Sequence, residues 1–187
     1  EIYEELNIRI DNTMKYYLDL QDYLEGIEFI SPAQYLLLKN ISSFYQLLRI
    51  AKNNLENWFS IENRNVREVL LIKNVSLNNF RVGDRSYFID YKDATKGLVV
   101  YDLISFYRKE AINVDFLSLF SFYNSKYQLA QDEVNLFFAV ICIPERVVFT
   151  KNNYQDCLKV KKIVDYVLLT LSFASEKNKE NEETYKD

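Results

Sequence analysis

Two oxygen-bearing side chains in the middle of the chain could hold a metal ion against phosphate groups. Asn79 precedes a short apolar run at 80–82, and Asp90 directly follows another at 87–89. Amide and carboxylate oxygens are ligands that Mg²⁺ takes where it bridges nucleotide phosphates. Asn74 stands five residues before Asn79, so the two amides fall on one loop. The spacing predicts a phosphate-facing loop with Asn79 and Asp90 as candidate magnesium ligands.

A loop, an Asn, a hairpin and an Asp after its second strand are also the parts of a phosphotransferase catalytic loop. In that arrangement an Asp five residues before the Asn orients or deprotonates the acceptor hydroxyl. Here that position holds Asn74, and the position two before it, usually His, holds Ile72. An amide has no basic site near neutral pH, so Asn74 can only orient a hydroxyl. Losing a general base typically costs about 10² to 10⁴-fold in rate, which argues against phosphoryl transfer.

Each candidate also has a purely structural interpretation. Asp90 can cap a turn or a helix, and Asn79 can serve a turn through its backbone. Lys73, next to Asn74, could face phosphate or stay solvated. Asp93 could supplement Asp90 at the metal.

Short apolar runs and turn signals surround these residues. The runs lie at 69–72, 80–82 and 87–89, and Gly83-Asp84 separates the last two. Gly-Asp between apolar runs predicts a β-hairpin, because Gly tolerates a positive φ and Asp bonds its own backbone. Residues 92–97 are expected to form a loop, with Gly97 allowing a sharp turn before the next helix.

Helical periodicity covers most of the remaining chain. Ser31-Pro32 is an N-cap followed by Pro at the first helical position, and Gly26 ends the helix before it. On the last helix, the predicted apolar stripe consists of Leu158, Ile163, Val167 and Leu171. The predicted helices span residues 2–24, 32–59, 98–111, 115–123, 132–143 and 154–174.

Composition limits the fold class. The chain of 187 residues is 49% hydrophobic and contains only 3 Gly and 2 Pro, which favours long helices in one domain. The expected fold is mainly α (α+β), with a domain at 1–175 and a charged tail at 176–187. The net charge is −4 without a basic stripe, so no nucleic-acid partner is expected. No signal peptide and no run of about 18 apolar residues is found, so a soluble, intracellular chain with no membrane partner is expected.

Several catalytic classes are excluded by residue type. The chain has no His, which removes Ser-His and Cys-His mechanisms. Two Cys without His are too few ligands for a zinc site. Cys142 and Cys157 lie in apolar helical surroundings, and both are expected to be buried and reduced.

Three longer segments carry a resemblance to a known family. The segment 89–103, IDYKDATKGLVVYDL, has an I-D, spacer, D-L layout. The segment 125–147, SKYQLAQDEVNLFFAVICIPERV, is similar to a Y-x-x-x-L-x-x-x-E helix leading into an F/I-P segment, and 152–171, NNYQDCLKVKKIVDYVLLTL, to a closing Tyr-rich helix. Together with the Asn79 and Asp90 pattern, these segments resemble the C-terminal lobe of aminoglycoside-phosphotransferase-like kinases. Within that superfamily they look most like the CotS-type spore coat proteins.

The resemblance implies a helical C-terminal lobe of a kinase-like fold, with a small β-hairpin at the catalytic-loop position. It implies that Asp102 is structural and bonds the backbone of that loop. Residue 1 is Glu, so the chain is not expected to begin at a native start. The resemblance implies that a β-rich N-lobe carrying the nucleotide-pairing Lys is missing. No cofactor is expected for this chain, and Mg-ATP only if an N-lobe is present. The implied partners are coat or assembly proteins, homo-oligomers stay open, and the implied location is the cytoplasm at synthesis and then the spore coat.

Three functions are therefore carried forward. The first is a catalytically degenerate kinase-like protein that acts as a structural component of the spore coat. The second is a truncated small-molecule phosphotransferase that uses Mg-ATP through Asn79 and Asp90. The third is an unrelated helical interaction domain in which the hairpin is incidental.

Overall fold

The computed structural model describes residues 1–62, 67–89 and 94–184, with side chains up to residue 177. This part of the chain is mainly helical, as its composition predicts. The helices are α1 (Ile2–Glu25), α2 (Pro32–Ser60), α3 (Val100–Glu110), α4 (Phe116–Lys126), α5 (Gln131–Ile141) and α6 (Asn153–Thr184). The strands are β1 (Glu68–Leu71), β2 (Phe80–Arg81), β3 (Tyr87–Phe88) and β4 (Thr95–Leu98).

The first two helices form an antiparallel hairpin, and their predicted bounds are confirmed within one or two residues. Ser31 Oγ accepts a hydrogen bond from the Gln34 N–H at 3.3 Å, and the Ser31 N–H donates to Gln34 Oε1 at 2.7 Å. This reciprocal pair satisfies two N–H groups that the start of a helix otherwise leaves unpaired. The rings of Tyr17 and Phe44 lie 4.8 Å apart between the helices.

Helix α2 lies at the centre of the fold, where it packs against α1, α5 and α6. Its apolar residues recur at helical spacing along one buried side, except that Trp58 near its end is only half-buried. The buried members are Leu37, Ile41, Phe44, Leu48, Ala51 and Leu55.

A cluster of aromatic rings joins α3, α4, α5 and α6. Tyr107 contacts Phe116 edge-on at 4.6 Å, and Phe120 lies 5.2 Å from Phe137. Phe173 of α6 stacks on Tyr107 at 5.7 Å. These five rings are all buried, so much of the aromatic content of the chain is core packing.

The β2–β3 hairpin is confirmed, with Phe80 opposite Phe88 and Arg81 opposite Tyr87. The reason given for its turn is wrong, because Gly83 does not have a positive φ. The loop spans residues 82–86, and its length closes the hairpin without a left-handed glycine.

The expected loop at 92–97 is partly a strand. Residues 92 and 93 lie outside the described residues, but β4 pairs antiparallel with β1, with Gly97 opposite Val69. Gly97 therefore does not make a sharp turn. A Cβ atom at this position would lie 2.5 Å from Leu71 Cδ1, so Gly97 is needed for the close approach of a buried side chain. The next helix begins at Val100 rather than at Leu98 because Leu98 is still paired with Glu68.

The predicted stripe on α6 is confirmed only in part. Val167 is buried and Ile163 and Leu171 are half-buried, but Leu158 is 52% exposed. Val160 and Val164, which the prediction left out, are buried. Apolar residues occur at so many positions of this helix that more than one stripe fits a helical period. The tertiary contacts of α2 select the valine face.

The ion pair of Arg67 with Glu133 fastens the start of β1 to α5. Arg67 Nε donates to Glu133 Oε1 at 2.8 Å, and its Nη2 donates to the other carboxylate oxygen and to the Gln128 carbonyl at 2.9 Å. The guanidinium also lies 4.7 Å from the centre of the Tyr127 ring. The bonds to Glu133 raise the pKa of Arg67, which stays charged.

Both cysteines are free thiols, but only one is buried. Cys142 is fully buried, and burial raises the pKa of its thiol well above the usual range. Cys157 is half-buried, contrary to the prediction, because it packs against the core only in part, near the start of α6.

We expect the native protein to react with a thiol reagent at Cys157 alone. The thiolate is the reacting form, and the Cys142 thiol is both shielded and protonated at neutral pH. Titration with a chromogenic disulfide should release about one equivalent quickly and about a second only in denaturant. A Cys157→Ser variant should give none in the native state. Rapid labelling of that variant would contradict the packing of Cys142.

Candidate functional site

Asp102 holds the backbone of the loop that follows β1. It lies in the first turn of α3, and its half-buried carboxylate accepts two backbone hydrogen bonds. The Ile72 N–H donates to Oδ2 at 2.7 Å, and the Lys73 N–H donates to Oδ1 at 2.8 Å. Hydrogen bonds to an ionised acceptor are about twice as strong as bonds between neutral groups. The loop is therefore fastened to α3 at the point where the strand ends.

Lys73 adopts a backbone conformation that side chains other than glycine rarely take. Its φ is 66°, and the Asn74 N–H donates to the Ile72 carbonyl at 2.8 Å, which closes a tight turn around Lys73. Ser105 Oγ of α3 donates to the Lys73 carbonyl at 3.2 Å. A conformation of this kind costs about 1–3 kcal/mol and persists only where the surroundings enforce it. The hydrogen bonds of Asp102 and Ser105, which both lie on α3, hold Lys73 in this conformation.

Asn74 and Asn79 are brought together, as their spacing predicts. Asn79 Nδ2 donates to the Asn74 carbonyl at 3.0 Å. Lys109 Nζ donates to Asn74 Oδ1 at 2.8 Å, so the side-chain oxygen of Asn74 is bonded to a cation from α3. The Ile89 N–H donates to the Asn79 carbonyl at 3.0 Å, which places the end of the hairpin beside this loop.

The remaining half of the predicted metal site cannot be placed. Asp90 and Asp93 lie outside the described residues, although Ile89, next to Asp90 in the chain, is bonded to Asn79. Within the described ranges, no group of three or more His, Cys, Asp or Glu side chains could hold a metal ion. The assignment of Asn79 and Asp90 as magnesium ligands therefore stays a prediction.

Sequence reasoning missed the side chains of α3 that hold the loop. Ser105 and Lys109 follow Asp102 at three and seven residues, which is the spacing of one helix face. Glu110, one residue further on, accepts a bond from the Leu77 N–H at 3.0 Å through Oε1. A search for polar residues at helical spacing from Asp102 could have found Ser105 and Lys109.

The described residues of this loop can position groups. The residue at the predicted base position is an amide, and its carbonyl and its Oδ1 both already accept hydrogen bonds. The Asp102 carboxylate is also engaged, since both its oxygens bond backbone N–H groups of the loop. Lys73 and Lys109 add positive charge beside the amides.

Comparisons with known proteins yield no relative for this chain. No family model, no curated protein and no solved structure matches it. In the part of the chain that the structure describes, no helix is long and apolar enough to cross a membrane.

We expect Asp102→Ala to lower the free energy of unfolding by about 1.5–3 kcal/mol, because two backbone N–H groups lose a charged acceptor. Native-state hydrogen exchange should quicken at the amides of Ile72 and Lys73. Asp19→Ala, which removes an exposed acid of α1, should change neither quantity. Unchanged exchange at Ile72 in Asp102→Ala would show that the carboxylate does not hold the loop.

Proposed function

We propose that this chain is a catalytically degenerate, kinase-like lobe that works as an assembly component. The observation that carries the proposal is Asn74, an amide at the position of the general base, bonded through Oδ1 to Lys109. A residue in this state accepts no proton from an acceptor hydroxyl. The role that remains for the loop is a structural one.

The spore coat is the assembly to which the sequence resemblance points. The motifs at 89–103, 125–147 and 152–171 support a CotS-type protein, and they carry this part of the proposal without help from the comparisons. The partners are then coat or assembly proteins, and the location is the coat after synthesis in the cytoplasm.

A Mg-ATP-dependent role is the second candidate, and one observation favours it. The Asn79 side chain bonds the backbone of Asn74, so the two residues lie together on one loop. A metal-binding Asn and the residue at the base position would lie together in the same way. This candidate also needs Asp90 at the same place and an N-lobe that carries a nucleotide-pairing Lys. The third candidate, an unrelated helical interaction domain, would be favoured if Asn79 and Asp90 faced different sides.

Calorimetry with Mg-ATP on the natural full-length protein separates these candidates. We expect no binding at millimolar nucleotide, because a purely structural lobe has no use for the nucleotide, whereas the Mg-ATP-dependent candidate requires it. Asp90→Ala is the test variant, and Asp84→Ala in the exposed hairpin loop is the matched control. Binding that Asp90→Ala abolishes and Asp84→Ala preserves would contradict the proposal and justify a screen for acceptor substrates.

A further inference from the structure

A cleft lies between the end of α3 and the first half of α6. Its volume is about 380 Å³, which is within the range of sites that bind small molecules. Side chains between residues 108 and 113 line it from α3 and the turn that follows, and side chains between residues 158 and 166 line it from α6. Glu145, which follows α5, also lines it. We call this surface the α3–α6 cleft.

Positive charge predominates in the lining of the α3–α6 cleft. The four cations that line it are Arg108, Lys109, Lys161 and Lys162. Two acids, Glu145 and Asp165, stand against them, so the lining carries a formal charge of +2. Asp165 is already paired with Lys161 on the same helix. The whole chain has a net charge of −4, so the cleft differs in sign from the protein around it.

The cations of the cleft keep hydrogen-bond donors for a ligand. Arg108 donates from Nη2 to the Val140 carbonyl at 2.6 Å, which leaves other N–H groups of its guanidinium. Lys109 uses one of its three N–H groups for Asn74 Oδ1. Lys162 is exposed, and no ion pair between described residues includes it. The cleft therefore offers charged donors from both of its walls.

Two further arginines add positive potential on the other side of Arg108. Partial burial and the neighbouring charges of Arg108 and Arg146 lower the pKa of Arg9, whereas Glu5, one turn away on α1, raises it. All three guanidinium groups stay charged at neutral pH. Because like charges at short range repel one another, an anion bound beside Arg108 relieves part of this repulsion.

Apolar side chains make up most of the remaining lining. Leu158 is 52% exposed and Ile112 is 45% exposed, and both line the cleft together with Ala111 and Ile163. Leu158 is the residue that the helical pattern predicts to be in the core. An inorganic anion would leave these side chains in water, whereas a ligand with an apolar body covers them. The lining therefore fits an anion that carries an apolar group.

We propose that the α3–α6 cleft binds a small organic phosphate, with a phosphate head on a compact apolar body. A phosphate monoester carries close to two negative charges at neutral pH, which balances the formal charge of the lining, and its three oxygens accept hydrogen bonds from lysine and arginine. The apolar body lies against Leu158 and Ile112. This site is separate from Asn79 and Asp90, so the inference goes beyond the proposed assembly role and does not depend on it.

Titration of the isotope-labelled full chain with phenyl phosphate, followed by nuclear magnetic resonance at constant ionic strength, tests this site. The amides of residues 108–113 and 158–166 should shift, with a dissociation constant of about 1 mM or tighter. Inorganic phosphate should bind about 5-fold more weakly or worse, because it lacks the apolar body. Phenol, which keeps the ring and lacks the charge, should produce no shift at the same concentration.

Two lysines of α6 separate the cleft from general attraction of anions to the helix. Lys162 lines the cleft, whereas Lys159, also exposed and three residues earlier, does not. Lys162→Glu should weaken the binding of phenyl phosphate about 3- to 10-fold, because the reversal removes an attraction and adds a repulsion. Lys159→Glu is the matched control and should leave the dissociation constant within about 2-fold of the wild-type value.

Two further variants test the charge balance of the lining. Glu145→Gln removes the acid that has no ion-pair partner among the described residues, and it should strengthen binding about 2- to 5-fold. Lys161→Ala leaves Asp165 unpaired in the cleft and should weaken binding, which keeps the test available if Lys162→Glu does not fold. Far-ultraviolet circular dichroism reports whether each variant folds.

Three outcomes would overturn this inference. They are the absence of amide shifts at about 10 mM phenyl phosphate, inorganic phosphate that binds as tightly as phenyl phosphate, and a Lys159→Glu variant that weakens binding as much as folded Lys162→Glu does. The Mg-ATP titration with Asp90→Ala decides the assembly role separately, so failure of one proposal can be told apart from failure of the other.

Discussion

The geometry around the candidate site depends on the carboxylate of Asp102. The helical body has its own core around α2 and the aromatic cluster, whereas the segment from β1 to the β2–β3 hairpin has little buried surface of its own. The strands contain only two or four residues each, and isolated two-stranded sheets are marginally stable in water. The segment therefore takes its position from α3, where Asp102 binds two N–H groups at the end of β1 and Glu110 binds a third at Leu77.

The fixed loop has a structural consequence that does not need a reaction. An apolar groove between the β2–β3 hairpin and helices α3 and α4 is lined by Ile72, Leu77 and Phe80. All three belong to the segment that is held by Asp102, Lys109 and Glu110 of α3. The left-handed turn at Lys73 changes the direction of the chain between Ile72 and Asn74. The strained backbone of this turn is therefore part of what gives the apolar surface its shape. Asn74 has a structural role in this loop, because it serves as an acceptor for Lys109 and Asn79.

The sequence predicts the helices well and the β segment only in part, for physical reasons. Local signals determine the start of α2, since Ser31 and Gln34 form a capping box and Pro32 occupies the first helical turn. Strand β4 has little such signal, because Lys96 and Gly97 are weak strand formers that pair only because β1 lies opposite them. The face of α6 is likewise chosen by contacts with distant helices, which exposes Leu158 and buries Val160.

The same division applies to the candidate site. The pairing of Asn74 with Asn79 follows from their spacing on one loop, and the proximity of the loop to Asp102 follows from the resemblance. Ser105 and Lys109 share a helix face with Asp102 in the sequence, but their partners, the Lys73 carbonyl and the Asn74 side chain, follow only from the position of α3 along the loop.

The α1–α2 hairpin gives the fold a frame that the segment after β1 lacks. Helix α2 begins with a capping box, the rings of Tyr17 and Phe44 pack between the two helices, and a short turn joins them. The segment after β1 contains only short strands, so its backbone takes its position from the carboxylates of α3. The hydrogen bonds from α3 therefore keep the apolar side chains of this segment at one position relative to the helices.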